Sequence, residues 1–215
     1  EYVRIDSESL NERAMADRVC ADLRALGAEV WCDGAGSAIG SNDNNVYARL
    51  EGTLGAEPML FSAHLDTVKP GNGVKPVVED GVVRSGGDTI LGGDDKSGVA
   101  SVIEALRTVQ EKKLPHRTVE VLFTLSEEIG LRGAKHADYA RFSAKQAVVL
   151  DSSGDAGKII TSAPGQNKFS ATVIGQTAHA GVAPEQGISA IQVACEAVAA
   201  MKLLRVDEET TANLG

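Results

Sequence analysis

Ser62-Ala63-His64-Leu65-Asp66-Thr67-Val68 is the stretch on which the reading of this chain turns. It directly follows the apolar run Met59-Leu60-Phe61. If that run is a strand, side-chain alternation puts His64 and Asp66 on one face. An imidazole that ligates a metal needs a partner for its second ring nitrogen, and a carboxylate two positions on can supply it. In open α/β sheets ligands collect outside the carboxyl ends of the strands, so residues far apart in sequence can converge at one edge.

The same placement recurs downstream. Glu127-Glu128 follows Thr118 to Leu125, a mostly apolar run that alternates poorly and so reads as a strand buried on both faces. Asp151 follows Ala147 to Leu150, read as another buried strand. Asp94-Asp95 precedes a helical pattern from Ser97 to Lys113 that Pro115 stops. Singly, each acid has an ordinary explanation. A Glu pair is usually solvated, Asp94-Asp95 could cap a helix, and Asp151-Ser152-Ser153-Gly154 could be a turn. Recurrence at strand ends outweighs these. One imidazole with several carboxylates suits a divalent cation such as Zn, Co or Mn. An aspartate can bridge two such ions about 3.5–4 Å apart, as in two-metal hydrolases. Neighbours in an extended segment point opposite ways, so one of Glu127 and Glu128 can ligate while the other acts as general base.

Around these strands the pattern alternates β and α, which predicts an α/β sheet that is at least partly parallel. Ser7 to Leu26 reads as an amphipathic helix capped by Ser7 or Ser9 and ended by Gly27. Strands follow at Val30-Trp31, Asn45 to Leu50 and Pro58 to Ala63, the last two read as adjacent. The texture changes near Ala163-Pro164-Gly165. Beyond it Lys168 to Ile174 reads as a strand, and Pro184 to Leu204 as one long helix with Pro184 in its first turn. The domain boundaries expected are therefore 1–163 and 164–215.

Composition narrows the function. The 215 residues are 43% hydrophobic and 24% charged, ordinary for a globular protein. The net charge of -9 argues against nucleic acid and against anionic membrane as partners. No apolar run is long enough to span a bilayer, and no signal peptide is visible. Three cysteines, Cys20, Cys32 and Cys195, without paired spacing suit a reducing compartment, so the expected location is cytoplasmic. Neither a P-loop nor a Gly-x-Ser-x-Gly elbow occurs. His116 and His136 read as exposed and non-catalytic.

Ser62-Ala-His-Leu-Asp-Thr-Val68, Gly92-Gly-Asp-Asp-Lys-Ser-Gly98 and Ser126-Glu-Glu-Ile-Gly130 resemble, in order, the three metal-site signatures of the di-zinc exopeptidase family that includes peptidase T, carboxypeptidase G and the aminoacylases. The texture of Gly87 to Lys96 and of Gly130 to His136 is most similar to the peptidase T-like branch. The resemblance implies a three-layer α/β catalytic domain with a mostly parallel mixed sheet, followed by the start of a smaller α+β lid and dimerisation domain. It implies two divalent ions, zinc foremost. His64, Asp94 and Asp151 would hold one ion; Asp94 would bridge to a second that Glu128 also holds. Asp66 would orient His64, and Glu127 would be the base that activates water. The Asp94-Asp95 peptide would be cis.

Gly175-Gln-Thr-Ala-His-Ala-Gly181 and Pro184-Glu-Gln-Gly-Ile-Ser-Ala190 resemble the start of the lid, where His179 would stabilise an oxyanion in a neighbouring subunit's site. The resemblance further implies hydrolysis of short peptides near a terminus, and a homodimer in the complete enzyme. The second ion also needs a distal histidine, for which no residue here fits, so the chain is read as the N-terminal part of a longer enzyme. Two rivals stand beside this reading: an amidase or deacylase of N-acyl amino acids on the same fold, and a non-catalytic metal-binding or dimerisation module.

Overall fold

A computed structural model describes residues 1–215, and the chain falls into two units, Glu1–Gly154 and Asp155–Gly215. The first unit runs α1 (Arg13–Ala25), β1 (Glu29–Cys32), α2 (Ala35–Ile39), β2 (Val46–Leu50), β3 (Met59–His64), β4 (Pro76–Glu79), β5 (Val82–Ser85), α3 (Gly93–Glu111), β6 (Val119–Thr124), α4 (Arg132–Lys135) and β7 (Ala147–Val149). Five strands form one sheet in the order β1-β2-β6-β3-β7, and β4-β5 is a separate hairpin. β3 is parallel to both β6 and β7, whereas β2 is antiparallel to β1 and β6. Only β2 therefore runs against the other four, and the sheet is mixed and mostly parallel, as expected.

Helical periodicity explains how the sheet is covered. In α3 the buried Val99, Val102, Ile103 and Leu106 recur at i, i+3, i+4 and i+7. In α1 the buried face is Met15, Ala16, Val19, Cys20 and Leu23. Both stripes close on the same sheet face, with Val46, Ala48, Ala63, Val121 and Phe123 in one core. Fully burying an aliphatic or Phe side chain is worth roughly 1.5–3 kcal/mol, so this face carries most of the unit's stability. The opposite face is thinner. Tyr47, Leu60 and Leu122 lie there under Trp31, Phe142 and Ala144. The Tyr47 ring stacks between Trp31 and Phe142, at centroid distances of 5.8 and 5.5 Å.

Three local readings are corrected. β2 and β3 are not neighbours, because β6 lies between them. Parallel partners need a long crossover, and α3 supplies it between β3 and β6. β6 is buried at every position, as its apolar run predicts, but β7 is exposed at all three. β7 is the last strand in the order and pairs with β3 alone. The first helix begins at Arg13 and not near Ser7. Ser7 instead gives its hydroxyl to the Leu65 carbonyl and accepts the Thr67 N–H, so its polar groups are engaged away from any helix. Gly27 does end the helix, in the left-handed region at φ 81°.

The second unit holds a single 3₁₀ turn (Pro184–Gln186), α5 (Ala190–Ala199) and a short hairpin of β8 (Leu204–Arg205) with β9 (Thr211–Ala212). The long helix expected from Pro184 is broken, since Ser189 is extended and caps α5 by accepting the Gln192 N–H. Residues 168–174 form no strand: within this unit their backbone has no ladder partner, and the nearest pairing is the single Gln176–Ile188 bridge that follows them.

One close approach sets how near α3 comes to β7. A Cβ on Gly98 would lie 2.4 Å from Asp95 Oδ1 and 2.7 Å from the Leu150 carbonyl oxygen. The start of α3 is thus pressed against the end of β7. Gly98→Ala is expected to lower stability by about 1–3 kcal/mol, the usual cost of overpacking. A urea midpoint that does not move would show that this contact is looser than described.

Candidate metal centre

Because β6, β3 and β7 are parallel, their carboxyl ends share one edge of the sheet. His64 closes β3, Glu127 and Glu128 follow β6, and Asp151 follows β7. Asp94 stands at the start of α3, which packs on β3. His64 Nε2 lies 3.0 Å from Asp94 Oδ1, 3.9 Å from Asp151 Oδ2 and 4.0 Å from Glu127 Oε2. One ligand atom each from His64, Asp94 and Asp151 falls within 4.8 Å of the others, and the same holds for His64, Glu127 and Glu128. Acids from three other chain segments thus converge on one imidazole.

The other side of His64 is fastened. Its Nδ1 donates to the Asp66 carbonyl oxygen at 2.9 Å and lies 3.3 Å from Asp66 Oδ1. A proton held there leaves Nε2 facing the acids. Asp66 is fully buried and accepts three further hydrogen bonds, from the Ser9 hydroxyl at 2.6 Å and from the backbone N–H groups of Glu127 and Glu128 at 2.8 and 3.3 Å. One carboxylate therefore orients the imidazole and ties down the loop that bears both glutamates. Sequence reasoning found Asp66 but missed Ser9, whose place before a helical pattern made it look like a cap.

Asp94 and Asp95 part company. Asp94 is exposed, while Asp95 is buried and accepts the Gly98 N–H at 3.1 Å and the His64 N–H at 3.3 Å. The capping explanation holds for Asp95 alone, and Asp94 is left facing the imidazole. The peptide between them is cis. His179 belongs to the second unit, where its Nδ1 accepts the Gly181 N–H at 3.2 Å. His116 and His136 each bond a nearby carbonyl at the surface.

Charge in the centre is unbalanced. No Lys or Arg pairs with Asp66, Asp94, Glu127, Glu128 or Asp151; His64 is the only basic group that does. Burial opposes a charge on His64, yet Asp66, Asp94 and Asp151 outweigh it and raise the imidazole pKa to about 10. Burial and mutual repulsion push Glu127, Glu128 and Asp151 above the usual carboxylate range, against the pull of His64. Asp66 goes the other way. Burial would raise it, but His64, the Ser9 hydroxyl and the Glu127 amide hold it down. Imidazole nitrogen with carboxylate oxygens, crowded and lacking a basic partner, is a donor set that fits a divalent cation.

Comparison with known proteins agrees. Residues 45–196 match peptidase family M28. Protein YqjE of Bacillus subtilis (strain 168) is 46% identical over 215 residues, which is 100% of this chain and 58% of that protein. Among solved structures, aminopeptidase PepT from Bacillus cereus ATCC 10987 superposes with a TM-score of 0.84 at 42% identity, covering 100% of this chain and 58% of PepT. A tripeptidase from Staphylococcus aureus subsp. aureus mu50 gives 0.86 at 34% identity, over 100% of this chain and 57% of its own. The chain thus spans less than two thirds of each of these relatives.

The electrostatics predict a pH dependence for metal-free protein. A pKa raised from 6.5 to about 10 means that His64 contributes stability that is complete below pH 6.5 and lost as pH climbs through 10. Lys96, whose pKa desolvation lowers to about 8, acts in the opposite sense. The measurement is therefore a difference. Calorimetry in chelator should show the melting temperature of wild type falling relative to His64→Gln between pH 7 and 10. Parallel curves would contradict the assignment.

Proposed function

We propose, for a chain that belongs to peptidase family M28, that the protein is a metal-dependent exopeptidase of the peptidase T kind that hydrolyses short peptides. The observation that carries this reading is the meeting of His64 with two acid groups at one sheet edge, without a basic partner. The aminopeptidase and tripeptidase whose folds are similar point to the substrate class.

In this reading His64, Asp94 and Asp151 would hold one divalent ion, and Asp94 and Glu128 would hold a second. Zinc suits the donors best, with cobalt or manganese as alternatives. Such ions, when bound, supply Lewis-acid polarisation of a carbonyl and acidification of water. The remaining tasks belong to side chains. Asp66 keeps the proton on His64 Nδ1, so that Nε2 stays free to ligate. Glu127 is the general base: its carboxylate takes a proton from water and returns it to the departing amine nitrogen. Its side chain is 26% exposed, so water reaches it. Removal of the Glu127 N–H into Asp66 would let this carboxylate swing, so its aim depends on the buried pair. His179 is assigned as the hydrogen-bond donor to the oxyanion in a neighbouring subunit's site. A homodimer in the cytoplasm completes the proposal.

Two substitutions test it. Glu127→Gln should retain bound zinc and lower kcat on tripeptides by about 10²–10⁴-fold, the range set by general base catalysis. Asp94→Ala should lose zinc from both positions by elemental analysis. Normal turnover in the first, or two retained ions in the second, would reject the roles given to these residues. A panel of N-acyl amino acids run beside the tripeptides separates peptidase from deacylase.

A further inference from the structure

Glu12 is fully buried and has no basic partner, yet its carboxylate is saturated with donors. Oε1 accepts the Ser126 N–H at 3.0 Å, the Ser126 hydroxyl at 2.7 Å and the Leu10 N–H at 3.0 Å. Oε2 accepts the Ser41 hydroxyl at 2.7 Å. Four hydrogen bonds from neutral donors satisfy this buried carboxyl group without a cation. The donor of two of them is unusual. Ser126 is buried and sits in the left-handed region at φ 49°, which a residue with a Cβ seldom occupies. It immediately precedes Glu127 and Glu128.

Three successive amides thus end on two buried carboxylates. Ser126 N–H goes to Glu12, and Glu127 and Glu128 N–H go to Asp66. Both anchors are reached by the segment Ser7–Glu12. Ser9 bonds Asp66, and Ser7 exchanges bonds with Leu65 and Thr67 on the far side of it. By contrast, Glu12 makes no hydrogen bond to His64, Asp94 or Asp151. Exchanging its carboxylate for an amide would weaken the acceptor for the Ser126 and Leu10 N–H groups and turn a donor toward the Ser41 hydroxyl, and of the segments bearing ligands it is the loop with the glutamates that Glu12 holds directly.

We propose that Glu12 is a positioning residue of the metal centre, holding Ser126 so that Glu127 and Glu128 are aimed at the ions while the His64, Asp94 and Asp151 group stands without it. This rests on the functional reading above. Partners that orient ligating groups typically change metal affinity or activity by about 10–100-fold. The expectation here is a loss confined to one of two ions.

The test is zinc titration of the full-length protein as wild type, Glu12→Gln, Ser126→Ala and the double variant, with Val19→Ala as a control for general destabilisation. Glu12→Gln should weaken the weaker zinc by about 10–100-fold and leave the tighter one unchanged, whereas Val19→Ala changes neither. Excess zinc should restore tripeptide turnover in Glu12→Gln. The double variant should lose no more than Glu12→Gln alone, because both act through one contact. If Glu12→Gln does not fold, Ser126→Ala carries the readout with a smaller loss of the same ion. Equal weakening of both ions, or of neither, in a wild type that binds two would overturn the role of Glu12 alone. A wild type that binds fewer than two ions would overturn the functional reading, and this inference with it.

Discussion

A buried, ionised Asp66 is the constraint to which the rest of the first unit answers. A carboxylate can be taken out of water only if its lone pairs are filled. The donors that fill these come from Ser9 and from the amides of Glu127 and Glu128, with His64 beside them. Ser9 lies 57 residues before Asp66 and Glu127 lies 61 after it. Satisfying one acid therefore fixes the entry segment, the end of β3 and the loop after β6 relative to one another. The parallel pairing of β6 with β3 makes this possible, since it brings both strand ends to the same edge.

Acids in this molecule divide by what surrounds them. Burial would raise Glu120, but the Ser143 hydroxyl at 2.6 Å, the Ala144 and Ser143 amides and Arg49 overcome it and hold the carboxyl low. Asp66 is likewise held low by its donors. Glu127, Glu128 and Asp151 lack comparable donors, and burial with mutual repulsion leaves them high. Structural acids arrive with their hydrogen bonds made. Those at the sheet edge are gathered with that demand unmet, which is how a site for an external cation differs from a salt bridge.

Much of this was legible in the residues. The helical pattern from Ser97 to Lys113 identified α3, and the mostly apolar run from Thr118 to Leu125 identified a strand buried on both faces. The rule that chemistry collects at strand ends gathered His64, Glu127, Glu128 and Asp151 before any coordinates. What escaped were features set by partners distant in sequence. That β6 separates β2 from β3 depends on a crossover, not on local pattern. That β7 is exposed depends on its place at the end of the order, although its composition matches a buried strand. Ser7 and Ser9 carry the residue type of a helix cap, and only the nearby Leu65 and Asp66 divert them. Asp94 and Asp95 are chemically identical, so their split into one exposed and one buried acid could not be read from type or spacing.

Gly98 adds a last point. Asp94 rides on α3 and Asp151 on the end of β7, so the gap between these two acids is inherited from how near a helix can come to a strand. That nearness is limited at Gly98, where helix meets the Leu150 carbonyl with no room for one more carbon. The calibre of the opening between two carboxylates is thus set by a residue that bears no side chain and touches neither of them.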